Sequence, residues 1–113
     1  MRVGVLTSGG DAPGMNAAIR AVVRRSLSLG FEVYGIKRGF DGLLDGDFVR
    51  MGVESVGDII HRGGTILHTA RSQRFYHAES QDLGAARLRG AGIDGLVVIG
   101  GEGNIINSRN TRP

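Results

Sequence analysis

The sequence contains no cysteine and no tryptophan, only two prolines, and few aromatic residues of any kind (5%). Without cysteine, neither a disulfide framework nor a thiolate metal site can form, so the chain can work in a reducing compartment. Its apolar runs are much shorter than the roughly 20 residues that a membrane helix needs, and the amino-terminal residues are typical of a strand rather than a signal peptide. We therefore expect a cytoplasmic protein with no membrane partner.

A dense block of basic residues is also missing. The formal net charge is +3, and the 14 lysines and arginines are scattered along the 113 residues. This distribution differs from the basic arms that bind nucleic acid, so we expect no nucleic-acid partner and favour small anionic ligands. The length and the hydrophobic fraction of 41% are typical of one soluble globular domain.

Glycine is abundant instead, with twenty residues, and two of its three adjacent pairs follow apolar runs. At such places a glycine permits a tight turn or a close approach of the backbone to a ligand. The two clearest examples are residues 8–11 (SGGD), after the apolar run 3–7, and residues 100–103 (GGEG), after the run 96–99.

Hydrophobic periodicity predicts an alternation of strands and helices. Strands are expected over residues 3–7, 31–36, 65–69 and 96–99, and helices over 15–29, 53–61 and 81–89. In the helices, the residues expected to face inward are Ile19, Val22, Val23 and Leu27, and then Leu83, Ala86 and Leu88. Residues 39–46 (GFDGLLDG) are predicted to be a loop because of their glycine and aspartate content.

This alternation predicts an α/β fold, a Rossmann-like three-layer sandwich with a mostly parallel sheet. Both glycine-rich turns would then lie at the carboxyl edge of the sheet, where ligands bind in such folds. Backbone N–H groups in these turns can bind phosphate, and the nearby carboxylates of Asp11 and Glu102 suggest a bridging Mg²⁺. Because neither turn is a P-loop or a GxGxxG motif, glycines that merely form tight turns remain an alternative.

Residues 4–20 (GVLTSGGDAPGMNAAIR) closely resemble the opening of the ATP-dependent 6-phosphofructokinases. Residues 62–65 (RGGT), 70–71 (AR) and 92–101 (GIDGLVVIGG) are similar to further blocks of the same family, in the same order and spacing. The resemblance covers residues 1–103, which it identifies as the ATP-binding half-domain. It implies transfer of a phosphoryl group from Mg-ATP to fructose 6-phosphate, a step of glycolysis.

The resemblance also implies a nucleotide site. Its members would be Gly10, Phe40, Arg71, Ser72, Gly101, Glu102, Gly103 and Asn104. In this set Arg71 would contact the transferring phosphoryl group, and Glu102 would support Mg²⁺ in place of the family's aspartate. Gly103 favours ATP over pyrophosphate as the donor, because the pyrophosphate-dependent relatives usually carry aspartate there.

An effector site for ADP or phosphoenolpyruvate at a subunit interface is a further implication. It would comprise residues 20–24 and 54–59, that is Arg20, Ala21, Val22, Val23, Arg24, Glu54, Ser55, Val56, Gly57, Asp58 and Ile59. Arg20 and Arg24 lie four residues apart on one helical face, where like charges repel unless an anion lies between them. From the residues alone, a solvated basic face is the alternative.

The last ten residues depart from the family. Residues 104–113 diverge in sequence, and their composition predicts a disordered tail. The resemblance places the catalytic base and the fructose 6-phosphate residues beyond residue 113, so this chain is expected to be an inactive fragment. A non-catalytic nucleotide-binding module and a nonfunctional remnant are the alternatives. We also expect association with other copies, because the family forms homo-tetramers and strand 96–99 would have an exposed edge.

Overall fold

The computed structural model describes residues 1–8, 14–57, 65–69, 78–100 and 105–107. These ranges contain strands and helices in nearly regular alternation, with one short 3-10 turn at Val53–Ser55. The strands are β1 (Arg2–Thr7), β2 (Glu32–Ile36), β3 (Phe48–Met51), β4 (Gly95–Ile99) and β5 (Ile105–Asn107), and the helices are α1 (Met15–Ser28), α2 (Gly39–Asp45) and α3 (Ala78–Gly90).

The strands form one sheet in the order β3-β2-β1-β4-β5. Strand β1 pairs in parallel with both β2 and β4, and in the second pair Thr7 lies opposite Ile99. The two outer strands, β3 and β5, pair antiparallel with their neighbours. The parallel centre confirms the predicted α/β class, whereas β3 is a strand that the periodicity did not predict.

Two hydrophobic cores lie on opposite faces of the sheet. On one face Ile19 and Val23 of α1 pack in a cluster with Val5 and Val33, and Val22 and Leu27 pack against it, as predicted. On the other face α2 and α3 contribute buried leucines, and the cluster there contains Leu6, Ile36, Leu43, Leu88, Ile93, Leu96 and Val98. Because side chains alternate between the faces of a strand, β1 supplies both cores. The predicted three-layer sandwich is confirmed.

The loop predicted over residues 39–46 is wrong, because this segment forms helix α2. Leu43 and Leu44 are buried in α2, and this burial outweighs the weak helix propensity of the surrounding glycines and aspartates. Gly42 has a specific reason to be glycine: a Cβ there would lie 1.5 Å from the carbonyl oxygen of Lys37. The glycines thus permit close packing of a helix instead of marking a loop.

Three smaller predictions also need correction. Residues 65–69 form a turn rather than a strand, and within 53–61 the described residues form only the 3-10 turn, while 58–61 lie outside the described ranges. Helix α3 begins earlier than predicted, and of its three expected inward residues only Leu88 is buried. Leu83 is 44% exposed, and Gly84 and Ala85 are buried in its place.

Strand β5 is formed by residues near the carboxyl end of the chain. It pairs antiparallel with β4, placing Ile105 opposite Val97, while residues 104 and 108–113 lie outside the described ranges. Since β4 has β1 on one side and β5 on the other, the edge expected to be exposed over residues 96–99 is covered at Leu96 and Val97, and the register gives Val98 and Ile99 no β5 partner. Across the described part of the chain, no helix is both long enough and apolar enough to span a membrane.

Candidate functional site

The carboxyl ends of β1 and β4 lie side by side and bring the starts of both glycine-rich turns together. The backbone N–H of Ser8 donates to the carbonyl of Ile99 at 2.9 Å. Gly100 has a φ of +96°, and a Cβ there would lie 2.5 Å from the Ser8 carbonyl oxygen and 2.7 Å from Cε of Met15. Only glycine fits at this position, because both the backbone conformation and the contact with Ser8 exclude a side chain.

Helix α1 begins at the same edge. Its N-cap, Gly14, has a φ of +92° and supplies no side-chain acceptor, and the first turn of α1 contains no acidic residue. The N-terminus of a helix carries a partial positive charge on its free N–H groups. In this sheet the chain passes from β1 to β2 on one side and from β4 to β5 on the other, so the connections diverge between β1 and β4, which is the place where open α/β sheets bind ligands.

Residues 65–69, called the strap below, lie across this edge. The N–H of Ile66 donates to Oδ1 of Asn16 at 2.7 Å, which fixes the strap to the first turn of α1. The N–H of Arg38 donates to the carbonyl of Leu67 at 2.9 Å, which fixes it to the residues after β2. The side chain of Leu67 is buried in the same core as Ile19 and Val23.

A chain of hydrogen bonds joins the strap to the last residue of β1. Oγ1 of Thr7 lies 3.0 Å from the carbonyl of His68, to which it must donate, and 3.1 Å from Oγ1 of Thr65. Because a hydroxyl has one proton, Thr65 donates to Thr7, and Thr65 in turn accepts from the N–H of Leu67 at 3.1 Å. Each threonine hydroxyl therefore donates one hydrogen bond and accepts one, and the donors run in order from Leu67 through Thr65 and Thr7 to the His68 carbonyl.

Two residues at this edge have an unusual backbone conformation. Arg38 (φ 62°) and His68 (φ 61°) are the two non-glycine residues with positive φ in the described ranges. A left-handed conformation costs a residue with a Cβ about 1–2 kcal/mol. The two are linked, because Arg38 donates to the residue immediately before His68. Backbone strain of this kind is concentrated where surrounding contacts hold the chain in place, often near functional sites.

The side chain of Arg38 turns toward the carboxyl end of α2. It pairs with Asp45 at 3.0 Å and with Asp47 at 3.4 Å. The hydrogen bond to Asp45 raises the pKa of the Arg38 guanidinium above its usual range; desolvation opposes this shift, and Asp47 adds to it. This arginine is therefore protonated at every physiological pH, and its charge pairs with the carboxylates at the carboxyl end of α2.

Of the predicted nucleotide-site residues, the structure describes Phe40, which lies in the first turn of α2 and packs partly buried against the second core. Seven others lie outside the described residues: Gly10, Arg71, Ser72, Gly101, Glu102, Gly103 and Asn104. Their described neighbours Ser8 and Gly100 are in contact. The predicted Mg²⁺ ligand Glu102 lies outside the described ranges, and within those ranges no group of three or more His, Asp or Glu side chains could hold a metal ion.

Both halves of the predicted effector site meet beside α1. Val23 of α1 and Val56, which follows the 3-10 turn, are fully buried in one core, so these side chains hold the two segments together without being accessible. Arg24, Glu54 and Gly57 are exposed. Nε of Arg20 is buried, and it has no hydrogen-bond partner within the described residues. Asp58 and Ile59 lie outside those residues.

The sequence did not single out Thr7, Asn16 and Thr65. All three are buried polar residues, and their hydrogen bonds span 50 and 58 residues of sequence. A threonine at the end of an otherwise aliphatic buried strand was the available signal, because a buried hydroxyl requires a partner.

Fold and site together define an α/β protein whose candidate ligand site lies at the carboxyl edge of the sheet, beside the two strands at which the connections diverge. The model of the family described as Phosphofructokinase matches residues 2–110. The chain belongs to the phosphofructokinase family.

Several curated relatives are similar to it. The ATP-dependent 6-phosphofructokinase of Shouchella clausii is 61% identical over 103 residues, covering 91% of this chain and 32% of that protein. The enzyme of the same name from Halalkalibacterium halodurans is 59% identical over 108 residues, covering 96% of this chain and 34% of the relative. The chain thus spans about a third of the length of the curated relatives it matches.

Solved structures are similar as well. Phosphofructokinase from Saccharomyces cerevisiae superposes with a TM-score of 0.82 at 44% identity, covering 86% of this chain and 13% of the other. Pichia pastoris phosphofructokinase in the T-state gives a TM-score of 0.86 at 40% identity, covering 90% and 11%.

Proposed function

We propose that this chain is the ATP-binding part of an ATP-dependent 6-phosphofructokinase, which transfers a phosphoryl group from ATP to fructose 6-phosphate. The observation that carries the proposal is the contact between Ser8 and Gly100, which starts both glycine-rich turns at one point of the carboxyl edge. Identity of about 60% to enzymes of that name supports this choice of donor and acceptor. The activity belongs to glycolysis, and we place the chain in the cytoplasm.

In this proposal the backbone at Gly10, Gly101 and Gly103 binds the phosphates, with the positive end of α1 nearby. Phe40, Ser72 and Asn104 lie beside the nucleotide, and Arg71 contacts the transferring phosphoryl group. A guanidinium suits that role because it presents several donors in a rigid plane to the charge that develops during transfer. Pyrophosphate is the less favoured donor because residue 103 is glycine.

Mg²⁺ is the proposed cofactor, with Glu102 as its ligand from this chain. The first turn of α1 has no carboxylate, and at Gly100 the approach of the Ser8 carbonyl leaves no room for a side chain. Such an edge fits phosphates and leaves the compensating cation to a carboxylate in the adjoining turn. When bound, Mg²⁺ neutralises charge on the phosphate oxygens, while the chain's own residues orient the nucleotide.

Titration calorimetry with Mg-ATP tests the proposed site. Arg71→Ala should weaken binding about tenfold or more, the scale of a charge-assisted hydrogen bond. Arg25→Ala is the matched control, because Arg25 is exposed on the last turn of α1 and has no proposed role. Equal affinities of the parent and of a folded Arg71→Ala variant would contradict the role of Arg71.

The residue at the proposed metal position can be tested separately. Glu102→Asp restores the family's side chain and should strengthen the part of ATP binding that depends on Mg²⁺. The measurement is the ratio of ATP affinities with Mg²⁺ and with EDTA for each variant. An unchanged ratio would remove residue 102 from the metal site.

We also propose that Arg20 and Arg24 bind ADP or phosphoenolpyruvate between subunits of a homo-oligomer. The buried Nε of Arg20, without a partner in the described ranges, supports this proposal because a buried guanidinium N–H requires an acceptor. A phosphate between both arginines would also relieve their mutual repulsion. Sedimentation velocity over a range of concentrations should show association that increases with ADP, and an Arg24→Ala variant should lose the increase. A monomer that ADP does not shift would contradict the proposal.

A further inference from the structure

We propose that Thr7 is a positioning residue of the nucleotide edge: its hydroxyl holds the strap, residues 65–69, in the strained conformation in which this edge binds Mg-ATP. The inference rests on the proposed function, since it assigns a role to a residue that supports the same site. It concerns described residues only, and Thr7 is not assumed to touch the nucleotide.

The environment of Thr7 explains why a hydroxyl matters there. Thr7 is fully buried at the end of β1, where valine has the same shape and would pack equally well. A buried hydroxyl is tolerated only when hydrogen-bonded, and both partners of Thr7, the His68 carbonyl and the Thr65 hydroxyl, belong to the strap. The net contribution of such a hydrogen bond to stability is modest, so stability alone does not explain why this hydroxyl ties the strap to β1.

The conformation of His68 supplies that reason. His68 is exposed and left-handed, so its own side chain contributes no packing that would hold the strained backbone in place. The bond from Thr7 to the His68 carbonyl acts directly on this peptide. The bond from Arg38 to the preceding carbonyl extends the constraint to the second left-handed residue of the edge. Strain that is held by buried hydrogen bonds is typical of a preorganised binding edge.

The position of Thr7 links the strap to both glycine-rich turns. Thr7 lies opposite Ile99 in the parallel ladder, and the next residues, Ser8 and Gly100, are in contact. One hydroxyl at this point therefore fixes the strap relative to the starts of both turns. Its removal should displace the strap while leaving the sheet intact.

The experiment compares the parent chain with Thr7→Val, which keeps the shape and removes the hydroxyl, and Thr7→Ser, which restores it. Ile93→Val is the matched control, because it removes one methyl group from the core on the opposite face. Titration calorimetry gives the dissociation constant for Mg-ATP, and thermal unfolding reports stability. Hydrogen exchange of the Leu67 and Arg38 amides, which donate to Thr65 and Leu67, reports on the strap without any ligand.

We expect Thr7→Val to weaken Mg-ATP binding about tenfold, the factor that corresponds to one buried hydrogen bond. Exchange at Leu67 and Arg38 should accelerate in that variant by more than the fall in its unfolding midpoint accounts for, whereas in Ile93→Val exchange should follow the midpoint. Thr7→Ser should return both binding and exchange toward the parent values.

The possible failures are distinct. If the parent binds Mg-ATP and Thr7→Val binds equally well, the inference is overturned and the proposed function stands. If Ile93→Val loses as much affinity as Thr7→Val, the effect is one of general stability and the inference is also overturned. Absence of Mg-ATP binding by the folded parent chain would overturn both proposals.

Discussion

The carboxyl and amino edges of the sheet use different chemistry. At the carboxyl edge the strap is held by neutral, partly buried hydrogen bonds: Thr7 donates to the His68 carbonyl, and Asn16 accepts from the N–H of Ile66. At the amino edge the contacts are ionic and exposed: Nε of Arg2 pairs with Glu32 at 2.6 Å, and the Arg2 backbone exchanges hydrogen bonds with Asp94. Arg2 also donates to the Ala91 carbonyl after α3.

The two edges also differ in the residues that adopt a left-handed backbone conformation. Where α1 and α3 end at the amino edge, the left-handed positions are glycines, Gly30 (φ 81°) and Gly92 (φ 72°), as is usual for helix C-termini. The left-handed positions with a side chain, Arg38 and His68, both belong to the carboxyl edge. Geometry is therefore relaxed at the amino edge, whereas strain is retained at the carboxyl edge, where we propose that the nucleotide binds.

The largest expected effect comes from Gly100→Ala at the carboxyl edge. Its positive φ and the 2.5 Å approach to the Ser8 carbonyl should together destabilise the chain by at least about 2 kcal/mol, through backbone strain and overpacking. Denaturant unfolding measures this loss. Gly90→Ala is the control: its Cβ meets nothing within 4 Å, so the chain should lose no stability. Equal behaviour of both variants would mean that β1 and β4 are not in close contact at Ser8.

Substitutions at left-handed residues should have smaller effects on stability, of opposite sign at the two edges, and they test whether strain is retained at the carboxyl edge. Gly30→Ala adds a Cβ in open space to a left-handed residue, so it should destabilise the chain by about 1 kcal/mol through backbone conformation alone. His68→Gly removes the same penalty and should make the chain about 1 kcal/mol more stable than His68→Ala, which keeps it. Denaturant midpoints for all three variants provide the measurement. A His68→Gly variant less stable than His68→Ala would show that His68 is not strained.

The sequence predicted those parts of the fold that depend on local periodicity. The buried face of α1, with Ile19 and Val23, follows from helical spacing, and β1 and β4 follow from short aliphatic runs ended by glycine. Helix α2 could not be predicted in this way, because the closeness of Gly42 to Lys37 exists only after α2 has packed. The reversed exposure of Leu83 has a similar cause, since small residues bring α3 close to its neighbours.

For the candidate site, the glycine-rich turns were predictable and the support beneath them was not. A glycine-rich turn after a strand can be recognised from neighbouring residues in a single sequence. The partnership of Thr7 with Thr65 depends on residues 58 positions apart, and a single threonine in a strand gives no indication of its partner. The strain at His68 is likewise invisible in sequence, because histidine has no preference for a left-handed turn strong enough to predict one.

The smallest expected effect concerns the ionic amino edge. Arg2→Met keeps an apolar stem and removes the guanidinium that pairs with Glu32, donates to the Ala91 carbonyl and lies 5.9 Å from the centre of the Tyr34 ring. Because these contacts are exposed, the loss of stability should be smaller than for Gly30→Ala. Adding salt should shrink this loss, since the Debye length falls from about 10 Å at 0.1 M to about 3 Å at 1 M.

The pH dependence of that loss has a definite sign. The hydrogen bond to Glu32 raises the pKa of the Arg2 guanidinium, so the stabilisation is complete below the pKa of the unfolded chain and disappears only as pH rises through the still higher folded value. The difference between the parent and Arg2→Met should therefore stay constant from about pH 7 to 10, a range in which arginine does not titrate. Denaturant unfolding at three pH values and two salt concentrations measures it. A difference that resists salt would show that the Arg2 pair is shielded from solvent, and the contrast between an ionic, solvated edge and a neutral, buried one would then be wrong.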